Sequence, residues 1–190
     1  MATKIEIVNI ALVGLGQPPI NDLSDDNPAI VGVSNMYDEI IDDCFASHPW
    51  KFAMTTETLL VNPAAPATEL YSTTFNLPAR FIMTWNTFPQ NFSYIIQGHL
   101  VYANAPDDWK WTFIKNVSPG LFPQYFTLFV AYKLAAEVAM MITQDMNIAQ
   151  YWMARADKQL FKAQNRDATQ QPNDVIQFNP YWADQYYGGI

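Results

Sequence analysis

The segment from Asn27 to Pro49 constrains the fold most, because its apolar residues recur at steps of three and four positions. This spacing is typical of one face of a helix. The apolar set is Ile30, Val33, Tyr37, Ile40, Ile41, Cys44 and Phe45. Asn27 is placed to cap the first turn, and Pro49 ends the helix because the residue before a proline avoids the helical conformation. We therefore expect a long amphipathic helix with one buried face.

Strand signals begin with the alternating residues Trp50, Phe52 and Met54 and continue to about residue 115. Short β-branched and aromatic runs are separated by turn-like links. The runs are 55–61, 71–75, 81–85, 94–96, 100–102 and 109–114. Residues 97–99 and the NAPDD segment at 104–108 are both hairpin candidates. These signals predict a small antiparallel β-subdomain.

Helical patterns flank these strands on both sides. A short first helix is indicated by Ile5, Val8, Leu12 and Leu15, with Thr3 as its cap. After the strands, a long apolar pattern opens at Pro119 or Pro123 and includes Phe126, Leu134 and Met141. A break at 143–145 separates it from a last helix over 147–166, whose core candidates include Tyr151, Trp152 and Phe161.

The predicted fold class is α+β. Residues 1–49 and 117–167 form a bundle of about four helices, residues 50–116 form the inserted β-subdomain, and residues 168–190 form an extended C-terminal arm.

Bulk properties exclude several classes of function. The formal net charge of −8 argues against non-specific binding of nucleic acid to the outer surface, because phosphate contacts need clustered Lys and Arg. Cys44 is the only cysteine, so no internal disulfide is possible, and it is expected to be a buried apolar residue. No apolar run in the sequence reaches the roughly 20 residues of a membrane span. We expect no membrane partner.

Catalytic and metal-binding motifs are scarce. His48 and His99 are the only histidines, and their spacing does not fit a common metal site. Asp22, Ser24, Asp25 and Asp26 lack the spacing of a calcium loop, so helix capping is the better interpretation. Carboxylate pairs such as Glu57 with Glu69, or Asp107 with Asp108, are the alternative that would fit a glycosidase. We expect no enzyme activity, no metal and no cofactor.

Two oppositely charged helix faces predict an assembly surface. The helix over 27–49 carries Asp38 and Asp42 on its polar face, and the last helix carries four of the ten basic residues of the chain on one stripe. The stripe is Arg155, Lys158, Lys162 and Arg166. In a ring of identical subunits, the acidic face of one subunit can contact the basic stripe of the next. The alternatives are that both faces are solvated or that they meet within the subunit.

The C-terminal arm combines polar composition with aromatic residues. Its last part contains Phe178, Tyr181, Trp182, Tyr186 and Tyr187. Disordered tails normally lack aromatic residues, whereas Tyr and Trp are enriched where proteins dock. The pattern predicts a docking arm, and the alternative is an arm packed on its own domain.

Several segments in order along the chain resemble one protein family. They are ALVGLGQPPINDLSDD, YDEIIDDCFASHPWKFA, FNLPARFI, AYKLAAEVAMMITQDMNIAQYW and residues 162–168. This series is similar to the tail tubular protein A family of short-tailed bacteriophages (podoviruses), which are head-to-tail adaptors located beneath the portal. The likeness spans nearly the whole chain.

The resemblance implies a structural protein of the virion neck, assembled in the host cytoplasm. It implies a dodecameric ring with the portal protein above it, the tail tube or nozzle protein below it, and DNA passing through the lumen without specific binding. The aromatic arm is then the candidate for portal docking, and the β-subdomain is the candidate for tail contacts. The alternative function is a non-enzymatic binding module for another virion or host protein.

Overall fold

The computed structural model describes residues 2–23, 28–65, 68–90 and 92–170, and the fold is α+β as predicted. The α-helices in this part of the chain are α1 (Lys4–Gly14), α2 (Pro28–Ala46), α3 (Gln124–Thr143) and α4 (Met146–Ala168). Short 3₁₀ turns lie at Lys51–Ala53 and Pro119–Leu121. The expected cap at Asn27 and residues 171–190 of the predicted arm (168–190) lie outside the described residues, whereas Ala168 is the last residue of α4.

Six strands lie between α2 and α3. They are β1 (Met54–Thr58), β2 (Thr73–Asn76), β3 (Phe81–Phe88), β4 (Tyr94–Gln97), β5 (Leu100–Ala103) and β6 (Lys110–Lys115). They form two three-stranded antiparallel sheets, in the orders β1-β6-β3 and β2-β5-β4.

The helix α3 is the centre of the helical layer, because α1, α2 and α4 all pack against it. Its buried residues include Phe126, Leu134 and Val138, together with small alanines that allow close neighbours. Among the described helices, α3 is the one long and apolar enough to cross a membrane, with a mean hydropathy of 1.5. Contact with three other helices explains this composition, since a core helix is apolar on most of its surface.

The strand β6 connects two hydrophobic cores. Trp111 and Phe113 are buried among residues of the second sheet, such as Phe75 and Val101. Ile114 points the other way and belongs to the helical core. Because successive side chains on a strand point to opposite faces, one strand of six residues holds the two layers together.

The structure confirms several predictions that depend on residues close together in the sequence. Thr3 and Glu6 form a capping box at the start of α1. All seven apolar residues predicted for the buried face of α2 are buried. Gln144 adopts a left-handed conformation with φ of 54°, and the Asp145 side chain accepts a hydrogen bond from the backbone N–H of Asn147, so the predicted break at 143–145 is present. Gly98, with φ of 60°, forms the predicted tight turn with His99 between β4 and β5.

Two expectations about local structure are wrong. The alternation of Trp50, Phe52 and Met54 is not one continuous strand, because Lys51–Ala53 is a 3₁₀ turn and β1 begins only at Met54. Trp50 is buried in the helical core, and Phe52 and Met54 pack against that core. Residues 104–108 do not form a hairpin, because β5 and β6 belong to different sheets.

The expected core positions Met141, Tyr151 and Phe161 are exposed, by 45%, 57% and 66% of their surface. Met141 lies in the last turn of α3, and the other two residues lie at exposed positions of α4.

A buried carboxylate holds the end of α4 against the junction after α2. Asp167 is fully buried and accepts hydrogen bonds from the backbone N–H of Lys51 at 3.1 Å and from the Tyr125 hydroxyl at 2.9 Å. The His48 Nε2 atom lies 3.6 Å from the same carboxylate. Burial raises the pKa of Tyr125, and its hydrogen bond to the negatively charged Asp167 raises it further. The phenol therefore stays protonated as the donor that the carboxylate needs.

We expect Asp167→Ala to lower the free energy of unfolding by about 3 kcal/mol, because one buried donor and one partly buried donor lose their acceptor. Asp157→Ala is the matched control, since Asp157 is exposed on the same helix and its loss should change stability by less than about 0.5 kcal/mol. Urea denaturation followed by circular dichroism measures both. Equal effects of the two substitutions would show that Asp167 does not fix the end of α4.

Candidate interaction site

An arginine surrounded by aromatic rings lies on the exposed side of α4. The guanidinium carbon of Arg155 lies 4.7 Å from the centre of the Tyr132 ring and 5.0 Å from the centre of the Trp152 ring. Its nitrogens donate hydrogen bonds to the hydroxyl oxygens of Tyr151, at 3.0 Å, and Tyr132, at 3.3 Å. We call these four residues the aromatic–arginine cluster. Cation–π contacts and two hydrogen bonds fix the orientation of the guanidinium.

Three helices position this cluster. Tyr132 comes from α3, whereas Tyr151, Trp152 and Arg155 come from the first half of α4. The Trp152 ring packs over Gly14 at the end of α1, where an added Cβ would lie 2.7 Å from two ring carbons. The absence of a side chain at Gly14 is therefore what lets the indole pack this closely against the end of α1.

The cluster forms the middle of a continuous groove along α4, which we call the α4 groove. One part, with a volume of about 830 Å³, lies between α1 and α4 and is lined by apolar residues such as Ile10, Val13 and Ile148. A second part, with a volume of about 430 Å³, extends to Lys158 and Lys162. Tyr132, Tyr151 and Arg155 line both parts. The α4 groove thus has an apolar end and a basic end.

The basic stripe predicted from the sequence is exposed along its full length. Arg155, Lys158, Lys162 and Arg166 are all exposed, and none of them forms an ion pair with a residue that the structure describes. The hydrogen bonds to Tyr132 and Tyr151 raise the pKa of Arg155, so its positive charge is retained at every physiological pH. The stripe is therefore a cationic surface without an internal counter-ion in this part of the chain.

The acidic face of α2 is located elsewhere. Asp38 pairs with Lys4 at 3.4 Å, Asp43 pairs with Lys133 at 3.8 Å, and Asp42 accepts a hydrogen bond from the side chain of Asn116 at 2.6 Å. No ion pair within the described ranges joins α2 to α4. Lys133 and Tyr132 are neighbours on α3, and they contact α2 and α4 respectively. The structure thus places the two charged faces on different sides of α3.

The residues considered for chemistry are not brought together. His48 contacts Asp167, whereas His99 lies in the turn between β4 and β5. Glu57 pairs with Lys115 at 3.2 Å, and Asp107 and Asp108 are exposed in the connection between the sheets. Within the described ranges, no group of three or more His, Cys, Asp or Glu side chains is placed to hold a metal ion. Burial, with the nearby charge of Asp43, raises the pKa of Cys44, so the reactive thiolate is disfavoured.

Only part of this site is evident in the sequence. The helical patterns place Arg155 on the basic stripe and Trp152 in the core, but they do not connect these residues with Tyr132 or Gly14. The helical spacing of Tyr151, Arg155, Lys158 and Lys162 was the available signal, because these residues share one face. The predicted docking residues Phe178, Tyr181, Trp182, Tyr186 and Tyr187 lie outside the described residues.

Comparison of the chain with models of known protein families and with curated proteins found no match.

We expect Gly14→Ala to destabilise the protein by about 1–3 kcal/mol, because the new methyl group must displace the Trp152 ring. Without that clash, replacement of a helical glycine by alanine stabilises a protein by up to about 1 kcal/mol. The sign of the stability change therefore shows whether the clash is present. Gly120→Ala is the control, because an added Cβ there meets no atom within 4 Å. Thermal unfolding of both variants measures the effect, and a rise in the melting temperature of Gly14→Ala would contradict the packing described here.

Proposed function

We propose that this protein is a structural head-to-tail adaptor of a bacteriophage, which forms a ring between the portal and the tail tube or nozzle. The observation that carries the proposal is the basic stripe on α4, which forms no ion pair with any described residue and lies on a different side of α3 from the acidic face of α2. Two complementary surfaces at separate places on one subunit make head-to-tail contacts, and such contacts close into a ring when the rotation between subunits permits it.

Charge and avidity account for the strength of such an assembly. Each contact between a basic stripe and an acidic face contributes modestly, since exposed ion pairs are worth about 0–1 kcal/mol each. Repetition around a dodecameric ring, combined with attachment to a portal, multiplies these contacts. A formal net charge of −8 per subunit suits a lumen through which DNA passes without binding. The role is mechanical and not catalytic.

The strands provide a surface for tail-side contacts. Trp85 and Phe88 on the edge strand β3 are exposed by 55% and 70% of their surface. Ile95 and Ile96 lie on β4, which is the edge of the other sheet and is exposed along its length. Exposed apolar side chains on edge strands favour pairing with another protein, and the tail tube or nozzle protein is the partner that we propose.

We expect the double variant Lys158→Glu/Lys162→Glu to reduce ring-sized particles by about tenfold or more, because like charges then face each other across the subunit contact. Mass photometry of the protein mixed with the portal protein of the same phage measures ring formation. Lys110→Glu is the control for added negative charge, since Lys110 is exposed on β6.

A compensating variant makes this test specific. Adding Asp38→Lys/Asp42→Lys to the double variant should restore rings if the two faces meet between subunits. Full assembly of Lys158→Glu/Lys162→Glu would show that the stripe is only solvated, and a one-to-one complex would favour a binding module for another virion or host protein.

We expect removal of residues 172–190 to weaken attachment to the portal protein by about tenfold or more, because the deleted segment contains five aromatic residues of the kind that dominate binding energies. Binding to immobilised portal protein measures the loss. The far-ultraviolet circular dichroism spectrum is the control for an intact fold. Unchanged portal binding would rule out the arm as the docking segment.

A further inference from the structure

The open side of the α4 groove exposes aromatic, apolar and basic side chains. Tyr151 exposes 57% of its surface and Val13 exposes 56%. Lys158 and Lys162 are exposed beside them, without an ion pair in the part of the chain that the structure describes. Tyr and Arg side chains are enriched in protein-binding hot spots, and here Tyr151 and Arg155 are exposed and already oriented by contacts within the aromatic–arginine cluster. The composition of the groove favours a ligand that is both aromatic and acidic.

The segment that follows α4 has this composition. Residues 171–190 contain no Lys or Arg, and their two charged residues are Asp174 and Asp184. The same segment contains Phe178, Tyr181 and Trp182 between these two aspartates. Acidic groups on the segment therefore match the basic end of the α4 groove, and aromatic groups match its aromatic middle and apolar end.

The length of the chain also fits. Gln170 follows Lys162 by eight residues and Arg155 by fifteen, which corresponds to about 12 Å and about 22 Å along a helix. An extended chain covers these distances in about four and about seven residues. A segment that turns back along α4 therefore brings Asp174 to Lys162 and Phe178 to Arg155.

We propose that residues 172–190 dock into the α4 groove of their own subunit, antiparallel to α4. Asp174 pairs with Lys162, and the aromatic residues from Phe178 onward contact the aromatic–arginine cluster and the apolar part of the groove. The same subunit is the favoured partner because the segment begins at the end of α4, so its effective concentration near the groove is in the millimolar range.

Docking in this position has a consequence that rests on the proposed function. The docked segment covers Lys158 and Lys162, so the acidic face of a neighbouring subunit cannot contact them at the same time. Transfer of the arm to a portal would expose the stripe and permit ring closure on the portal. The docking itself does not depend on the adaptor role.

Chymotrypsin cleavage of the full-length protein tests the docking. Rates of cleavage after Phe178, Tyr181 and Trp182 are measured by mass spectrometry and compared with those of a free peptide of residues 172–190. We expect cleavage in the protein to be slower by about tenfold or more, because proteolysis follows the population of the undocked arm. Equal rates in protein and peptide would overturn the proposal.

Charge variants identify the docking site. Lys158→Glu/Lys162→Glu should accelerate cleavage by about fivefold or more, whereas Lys110→Glu should leave the rate unchanged. Adding Asp174→Lys to the double variant should restore slow cleavage, because the introduced lysine can pair with the new glutamates. The reference for this variant is the free peptide of residues 172–190 that carries Asp174→Lys. Protection that none of these substitutions changes would place the arm elsewhere and overturn the assignment.

The dependence on protein concentration separates two arrangements. Docking within one subunit gives the same protection from chymotrypsin at all protein concentrations. Protection that increases with protein concentration would overturn the proposal and show that the segment docks on a second copy. No portal protein is present in these assays, so they can fail while the adaptor proposal stands, and they can succeed if it fails.

Discussion

Aromatic packing around Trp50 joins the two ends of the segment that carries all six described strands. Trp50 is fully buried, its indole N–H donates a hydrogen bond to the carbonyl of Cys44 at 2.9 Å, and its ring lies 5.0 Å from that of Phe126. Phe52 and Phe122, at the two ends of that segment, have ring centres 6.3 Å apart. Aromatic pairs contribute about 0.5–1.5 kcal/mol beyond their buried area, so several of them together fix where the strands leave and rejoin the helices. The position of both sheets relative to α3 depends on this contact.

Sequence predicted the parts of the fold that are encoded over a few turns or a single hairpin. The buried face of α2 repeats every three to four residues, and the turn at Gly98 requires a residue that tolerates positive φ. The choice of strand partners is different, because it is decided by packing between distant segments. Trp109 and Trp111 are fully buried beside Phe75. β5 and β6 therefore lie in different sheets that pack together, although the NAPDD segment between them has the residues of a turn. Trp50 and Phe52 alternate like strand residues, but the aromatic cluster around Phe126 holds them in a 3₁₀ turn.

The sequence predicts the positive charge of the candidate site but not the contacts that orient its side chains. The stripe of Arg155, Lys158 and Lys162 is visible in the sequence, because its members share one helix. The ring of Tyr132 that holds Arg155 comes from α3, 23 residues away, and no local pattern connects them. Asp167 is an extreme case, since its hydrogen-bond partner Lys51 is 116 residues distant. A charged residue near the end of an amphipathic helix normally predicts exposure, and only the folded structure shows why this one is buried.

The contrast between Asp167 and Arg155 explains why one charge stabilises the fold and the other is available for binding. The carboxylate of Asp167 is fully buried, and its oxygens accept hydrogen bonds from groups of the same subunit. Its removal therefore lowers the stability of the fold. The guanidinium of Arg155 is exposed, and two hydrogen bonds to tyrosines orient it without neutralising it. A cation that is already oriented loses little side-chain entropy when an acidic or aromatic partner arrives. On a protein whose net charge is strongly negative, such a cationic surface also directs acidic partners to one place. The α4 groove therefore has the physical properties of a binding site, whichever segment occupies it.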